Sequence, residues 1–229
     1  MTTTTDWLIA VGTIGLFLIA IVGIFQDRIR SFLKHPNLNL SIDVSHPDCH
    51  KTTLKRVNQQ GQTITQADCY YFRVRIDNYG NERAEFVEVF AKQLLKQGLD
   101  GEFRSVNSFL PMNLVWSYNK KQYLEAISPG TGKHCDLGYI IDPNMRTQFP
   151  LEDNPALNVP INNTVFSLDV AVKTFTLNHL IPPGTYRLII QVAAANVNPT
   201  TIRLEIVLTG SWHNTEQNMF ARGISIRRI

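Results

Sequence analysis

A run of 19 residues without a single charge, Trp7 to Phe25, restricts this chain more than any other feature in it. The run reads WLIAVGTIGLFLIAIVGIF, with Thr13 its main polar side chain. At about 1.5 Å rise per residue it spans roughly 28 Å as a helix, close to the hydrocarbon thickness of a bilayer. A core helix of a soluble domain keeps a polar stripe, and this run has none. Trp7 and Phe25 suit the two interfacial zones. Residues 7–25 are therefore expected to cross a membrane once, after a short N-terminal tail of residues 1–6.

A cleavable signal peptide is the main rival. It needs a basic n-region and a small-residue cleavage site. Residues 1–6 hold no Lys or Arg, Asp6 is acidic, and Gln26-Asp27-Arg28-Ile29-Arg30 offers no such site. A signal-anchor fits better. Arg28, Arg30 and Lys34 follow the run and nothing basic precedes it, so the positive-inside rule puts the tail outside and the rest of the chain in the cytoplasm. Residues 26–36 form a basic juxtamembrane segment. Its Arg28, Arg30 and Lys34 are candidates for lipid headgroup contact, with a plain stop-transfer flank as the simpler alternative.

Gly12, Gly15 and Gly23 fall within about 80° of one another on a helical wheel. Such a strip lets a second helix approach closely, which makes these glycines a candidate self-association face. They do not make a strict Gly-xxx-Gly motif, and glycine is common in membrane helices.

Beyond the anchor about 195 residues remain, enough for one domain. The net charge is only +3, and no dense basic field marks a nucleic-acid binder. Cys49, Cys69 and Cys135 are odd in number and give no disulfide framework. Free thiols fit a reducing cytoplasm, in agreement with the charge rule. The sequon Asn162-Asn163-Thr164 would be silent there.

Alternation of apolar and polar residues marks strands along this part. Leu38, Leu40, Ile42 and Val44 make one face, and Tyr70, Phe72, Val74 and Ile76 the next. Val87, Val89 and Ala91 follow after a turn at Asn78-Tyr79-Gly80-Asn81. Further strands are expected at 113–117, at 135–141, and along Phe166, Leu168, Val170 and Val172. Two more follow Pro182-Pro183-Gly184, along Tyr186–Val192 and Ile202–Leu208, with a last short one at 223–229. Residues 51–66 are polar and Gln-rich and read as a long loop. So do most of 98–128 and the Pro- and Asn-rich stretch 142–163. The expected fold is mainly β: an antiparallel immunoglobulin-like β-sandwich of 7–8 strands over residues 37–229, behind one membrane helix.

Two local patterns resemble known sandwich families. Val74-Arg75-Ile76-Asp77-Asn78-Tyr79-Gly80-Asn81-Glu82-Arg83-Ala84, continuing to Val87-Glu88-Val89, resembles the hairpin of CARDB-like immunoglobulin-type domains of prokaryotic proteins. In that hairpin Gly80 supplies a left-handed turn residue and Asn78 bonds its own turn backbone. Leu180-Ile181-Pro182-Pro183-Gly184-Thr185-Tyr186 resembles the approach to the penultimate strand of fibronectin type III-like sandwiches. The resemblance implies that the Tyr186 hydroxyl bonds back to upstream backbone as a tyrosine corner. Ile127-Ser128-Pro129-Gly130 resembles a turn that opens a mid-sandwich strand. These likenesses speak for a sandwich and not for any activity.

Reactive side chains concentrate at His46-Pro47-Asp48-Cys49-His50 and His134-Cys135-Asp136. Two His and two Cys can hold zinc. Adjacent residues on a strand point to opposite faces, however, so each pair offers one ligand, and no metal site is expected. Gly130-Thr131-Gly132-Lys133 lacks the first glycine and the final Ser or Thr of a phosphate loop. No catalytic motif and no cofactor fingerprint occurs. Tyr71, Arg73, Arg75, Phe86 and Phe90 alternate away from the core and form a candidate binding face. The plainer alternative is that the 98–128 or 142–163 segment covers it.

The expected function is a membrane-anchored, non-enzymatic recognition or scaffolding protein with a cytoplasmic β-sandwich. Its partners would be membrane lipids and a protein or a second copy of itself, with no nucleic acid. The alternative is a ligand- or partner-triggered membrane effector of the bacterial defence type, clustering through Gly12, Gly15 and Gly23. A metal-dependent enzyme using Cys49 and His134 comes third.

Overall fold

The computed structural model describes residues 3–149 and 157–229, and within 27–33 the backbone alone. Helix α1 runs Thr4–Leu33. Its segment Thr4–Gln26 is long and apolar enough to cross a membrane, and none of it is buried among the described residues. The helix continues past the apolar run and stops short of Pro36, which disfavours helical geometry in the residue before it. Arg28 and Arg30 lie on this last stretch, where their side chains are outside the described residues. Lys34 follows it and is exposed.

The rest is two antiparallel sheets of seven strands each among the described residues. The first holds β1 (Leu38–Ser41), β2 (Cys49–Val57), β3 (Thr63–Asn78), β7 (Val115–Trp116), β9 (Gly132–Ile141), β10 (Phe166–Leu168) and β11 (Leu180–Ile181). The second holds β4 (Ala84–Gln97), β5 (Phe103–Ser105), β6 (Met112–Asn113), β8 (Tyr123–Ile127), β12 (Gly184–Ala194), β13 (Val197–Leu208) and β14 (Ile224–Arg228). The strand faces expected from alternation close the core between them. Tyr70, Phe72, Val74 and Ile76 of β3 meet Val87, Val89 and Ala91 of β4, Leu188, Ile190 and Val192 of β12, and Leu204 and Ile206 of β13. Each of the Val, Leu, Ile and Phe side chains among them contributes about 1.5–3 kcal/mol by leaving water.

The sheets hold more strands than the seven or eight expected, because segments read as loops pair. Residues 51–66 are not a loop. They form most of β2 and the first part of β3, in register from Cys49 opposite Phe72 to Val57 opposite Thr63. The far part of this arm is exposed on both faces, so its polar residues carry no apolar period. The strand expected at 113–117 is split. Asn113 pairs with Phe90 in the second sheet and Val115 with Asp136 in the first, so the chain changes sheets at Leu114. The strand expected through Val172 ends at Leu168. Val170 makes one isolated bridge to Leu114, and Val172 is exposed.

Four residues, 34–37, join α1 to β1, and they are bonded to the turn between β3 and β4. His35 N–H donates to Asn81 Oδ1 at 3.0 Å, and Asn81 N–H donates to the His35 carbonyl at 3.2 Å. Asn37 N–H donates to Asn78 Oδ1 at 3.0 Å. Gly80 is needed here for closeness, not for a left-handed turn. A Cβ on it would strike the His35 carbonyl oxygen and lie 2.5 Å from the Asn37 nitrogen, and Gly80 is not among the positive-φ residues. The Pro129-Gly130 turn does use positive φ, at Gly130.

Candidate functional site

Tyr71, Arg73 and Arg75 lie on β3, and Phe86 and Phe90 on β4. These strands follow each other in the chain but belong to different sheets, so their outer faces point to opposite sides of the sandwich. The five residues do not make one binding face. Tyr71 stacks on Tyr139 at 6.0 Å and packs with the small core of Ala67, Cys69, Ile141 and Phe149, beneath the short 3-10 helix Pro143–Gln148. That start of the 142–163 segment covers its face, as the plainer alternative held. Arg73 donates to the Pro47 carbonyl, and Arg75 pairs with Asp77 at 2.9 Å. Phe86 is exposed, has a φ of 50°, and tilts against Tyr123 at 6.2 Å.

The histidine and cysteine cluster divides into core and surface. Cys49 and Cys135 point inward, and the Cys135 thiol donates to the Val115 carbonyl at 3.2 Å. Burial pushes the Cys49 and Cys69 thiols up to about 12, and Cys135 well above its ordinary value. They stay protonated and unreactive at neutral pH. His134 Nε2 lies 2.9 Å from Asp48 Oδ1, while His46 stacks on His50 at 5.4 Å. Among the described residues no group of three or more His, Cys, Asp or Glu is placed to hold a metal.

A polar network that the sequence did not announce sits on the outer face of the first sheet. Lys120 reaches Asp136 at 2.6 Å, Asp169 at 2.8 Å and the Tyr71 hydroxyl at 2.7 Å. Tyr71 donates to Asp169, and Ser117 donates to Asp136 at 2.6 Å. Burial works against the ammonium, but its hydrogen bonds to Asp136 and Asp169 outweigh that and raise its pKa. Burial, then the Asp169 and Asp136 charges, push the Tyr71 hydroxyl far up. Both groups hold their protons at neutral pH, so neither is poised as base or nucleophile. The network pins the turn after β7 onto the sheet.

A cavity of about 180 Å³ opens at the other end of the sandwich from the α1 attachment. Leu94, Val106, Phe109, Leu180 and Pro182 give it apolar walls, and Lys96, Asn178 and Tyr186 add polar ones. β4 runs from the tether turn to this cavity, a distance of roughly 40 Å at strand rise. Tyr186 opposes Lys96 in register across β12 and β4. The expected tyrosine corner is not formed: among the described residues the buried Tyr186 hydroxyl has no hydrogen-bond partner. Burial pushes it up to about 12. The Lys96 ammonium stands 5.9 Å over the Tyr186 ring and pairs with no carboxylate among the described residues. Asn178 fixes the rim by donating to the Ser108 carbonyl and to Thr176 Oγ1 at 2.9 Å.

The comparisons with known proteins add no identity to this geometry. No family model matches the chain, and no curated protein matches it. A solved structure of a Bordetella pertussis protein, provisionally assigned as ApaA, is similar at 12% identity over 75% of this chain and 90% of that one. Its TM-score is 0.28, too low to carry an argument about fold or function. No CARDB-like or fibronectin type III-like relative stands behind the two local resemblances.

The cavity residues were missed because they come from three separated stretches of chain, 94–96, 106–109 and 178–186, and are common types. One signal was present. Lys96 stands in the inward-facing period of Leu94, and a lysine there has to lie at an open end.

Proposed function

We propose that this chain is a membrane-anchored, non-enzymatic recognition module. In this reading α1 spans the membrane, the short N-terminal tail lies outside, and the sandwich stands in the cytoplasm. The observation that carries it is the tether. Helix α1, whose apolar segment ends at Gln26, is joined to β1 by only four residues, and these are hydrogen-bonded to Asn78 and Asn81 of the sandwich. Such a joint holds the domain close to the bilayer and turns its cavity end outward. Lys34 is exposed beside the joint, eight residues beyond the apolar segment. The inert thiols and the locked Lys120 network favour recognition over catalysis.

Alkaline carbonate extraction tests the anchor, and cross-linking in the same membranes tests recognition. The full-length chain should stay in the pellet and give a discrete species of higher mass. Recovery in the supernatant, or cleavage just after Phe25, would sink the reading.

A clustering effector is the second reading. A Cβ on Gly12, Gly15 or Gly23 would meet nothing within 4 Å among the described residues, so the strip has room for a second helix. Gly12→Leu with Gly15→Leu should then abolish any oligomer. An unchanged oligomeric state removes this reading.

A further inference from the structure

We infer that the cavity at the far end of the sandwich binds a small amphipathic anion: a carboxylate carried on a short apolar or aromatic body. This deepens the recognition reading and rests on it. The walls set the ligand's body. Leu94, Val106, Phe109, Leu180 and Pro182 give an apolar lining of about 180 Å³, which suits a fragment-sized group and not a macromolecule.

One uncommitted charge sets the ligand's head. The Lys96 ammonium stands 5.9 Å over the Tyr186 ring, opposite it in register, and has no carboxylate partner among the described residues. The neighbouring cations are already paired. Arg104 bonds Asp100, and Arg187 bonds Glu205 while lying 3.8 Å over the Phe103 ring. Lys96 is therefore the charge left for an anion at this mouth. Asn178, held by Ser108 and Thr176, keeps the rim in place, so the site is preformed.

The test uses the full chain in lipid nanodiscs, with phenylacetate as probe and neutral phenylacetamide as control, read by the thermal unfolding midpoint. Phenylacetate should raise the midpoint saturably, and phenylacetamide should act about tenfold more weakly. Lys96→Gln should weaken phenylacetate about tenfold and leave acid and amide alike. Tyr186→Phe, which keeps the ring and removes a hydroxyl buried away from the cavity space, should leave the response to both probes unchanged. Equal action of acid and amide on the native chain, no saturable shift at millimolar concentrations, or undiminished phenylacetate binding by Lys96→Gln would each overturn the assignment. A chain that carbonate releases but phenylacetate still stabilises keeps the site and loses the anchor reading. A chain that stays in the pellet and ignores phenylacetate does the reverse.

Discussion

The Asn78 side chain joins three segments of backbone. It accepts from the N–H groups of Asn37 and Gly80, and it donates to the carbonyls of Glu82 and Ile127. Alanine there would leave buried backbone groups unpaired, at about 1–3 kcal/mol each. Asn78→Ala is expected to lower stability by about 3 kcal/mol in chemical denaturation, with Gly80→Ala costing about 2 kcal/mol through the clash with residues 35–37. His179 is a second such residue. It is fully buried, and among the described residues both ring nitrogens lack partners. Burial, helped by Lys173, lowers its pKa from 6.5 to about 4. The unfolded chain therefore binds more protons between those values, so stability is full above pH 6.5 and falls as pH drops towards 4. His179→Leu should flatten that slope in unfolding midpoints measured across the window. The turn role of Asn78 was legible from Asn-x-Gly, whereas nothing in the sequence distinguishes a buried histidine from an exposed one.

Elements with one buried face announce themselves by alternation, and elements without one do not. β12 and β13 were legible for that reason, since every second residue from Tyr186 to Val192 and from Ile202 to Leu208 is buried. The β2–β3 arm was not, because its outer half is exposed on both faces and Thr, Lys and Gln give no period. Amide exchange should follow this division. The β4–β12 pair at the centre of the second sheet should exchange slowest, and the turn around Asn58–Gln62 fastest. Lys120 ties the short turn after β7 to Asp136 and Asp169. Lys120→Met should cost about 2 kcal/mol, less than the 3–5 of a fully buried pair because the lysine is half exposed and Asp136 is not. Denaturation of the single variant and of Lys120→Met with Asp136→Asn checks this, and the double variant should recover part of the loss.

For the whole molecule, the sequence supported an apolar helix followed by an antiparallel sandwich, and the structure has both. The assignment of strands to sheets was not legible. Met112–Asn113 and Val115–Trp116 are nearly continuous in sequence, yet they pair in different sheets, because core geometry and not local pattern decides where the chain crosses. The cavity was illegible for the same reason, since it exists only after β4, β11 and β12 are assembled. The central proposal is that α1 is a retained anchor whose four-residue joint presents the sandwich on the cytoplasmic side. The most direct measurement is protease accessibility of a C-terminal tag in membrane vesicles of known sidedness. The account predicts that the tag is digested in inside-out vesicles and protected in right-side-out ones, with α1 still joined to the sandwich in the protected chain. Protection with the opposite sidedness, or a tagged chain lacking residues 1–25 and free in solution, would contradict it.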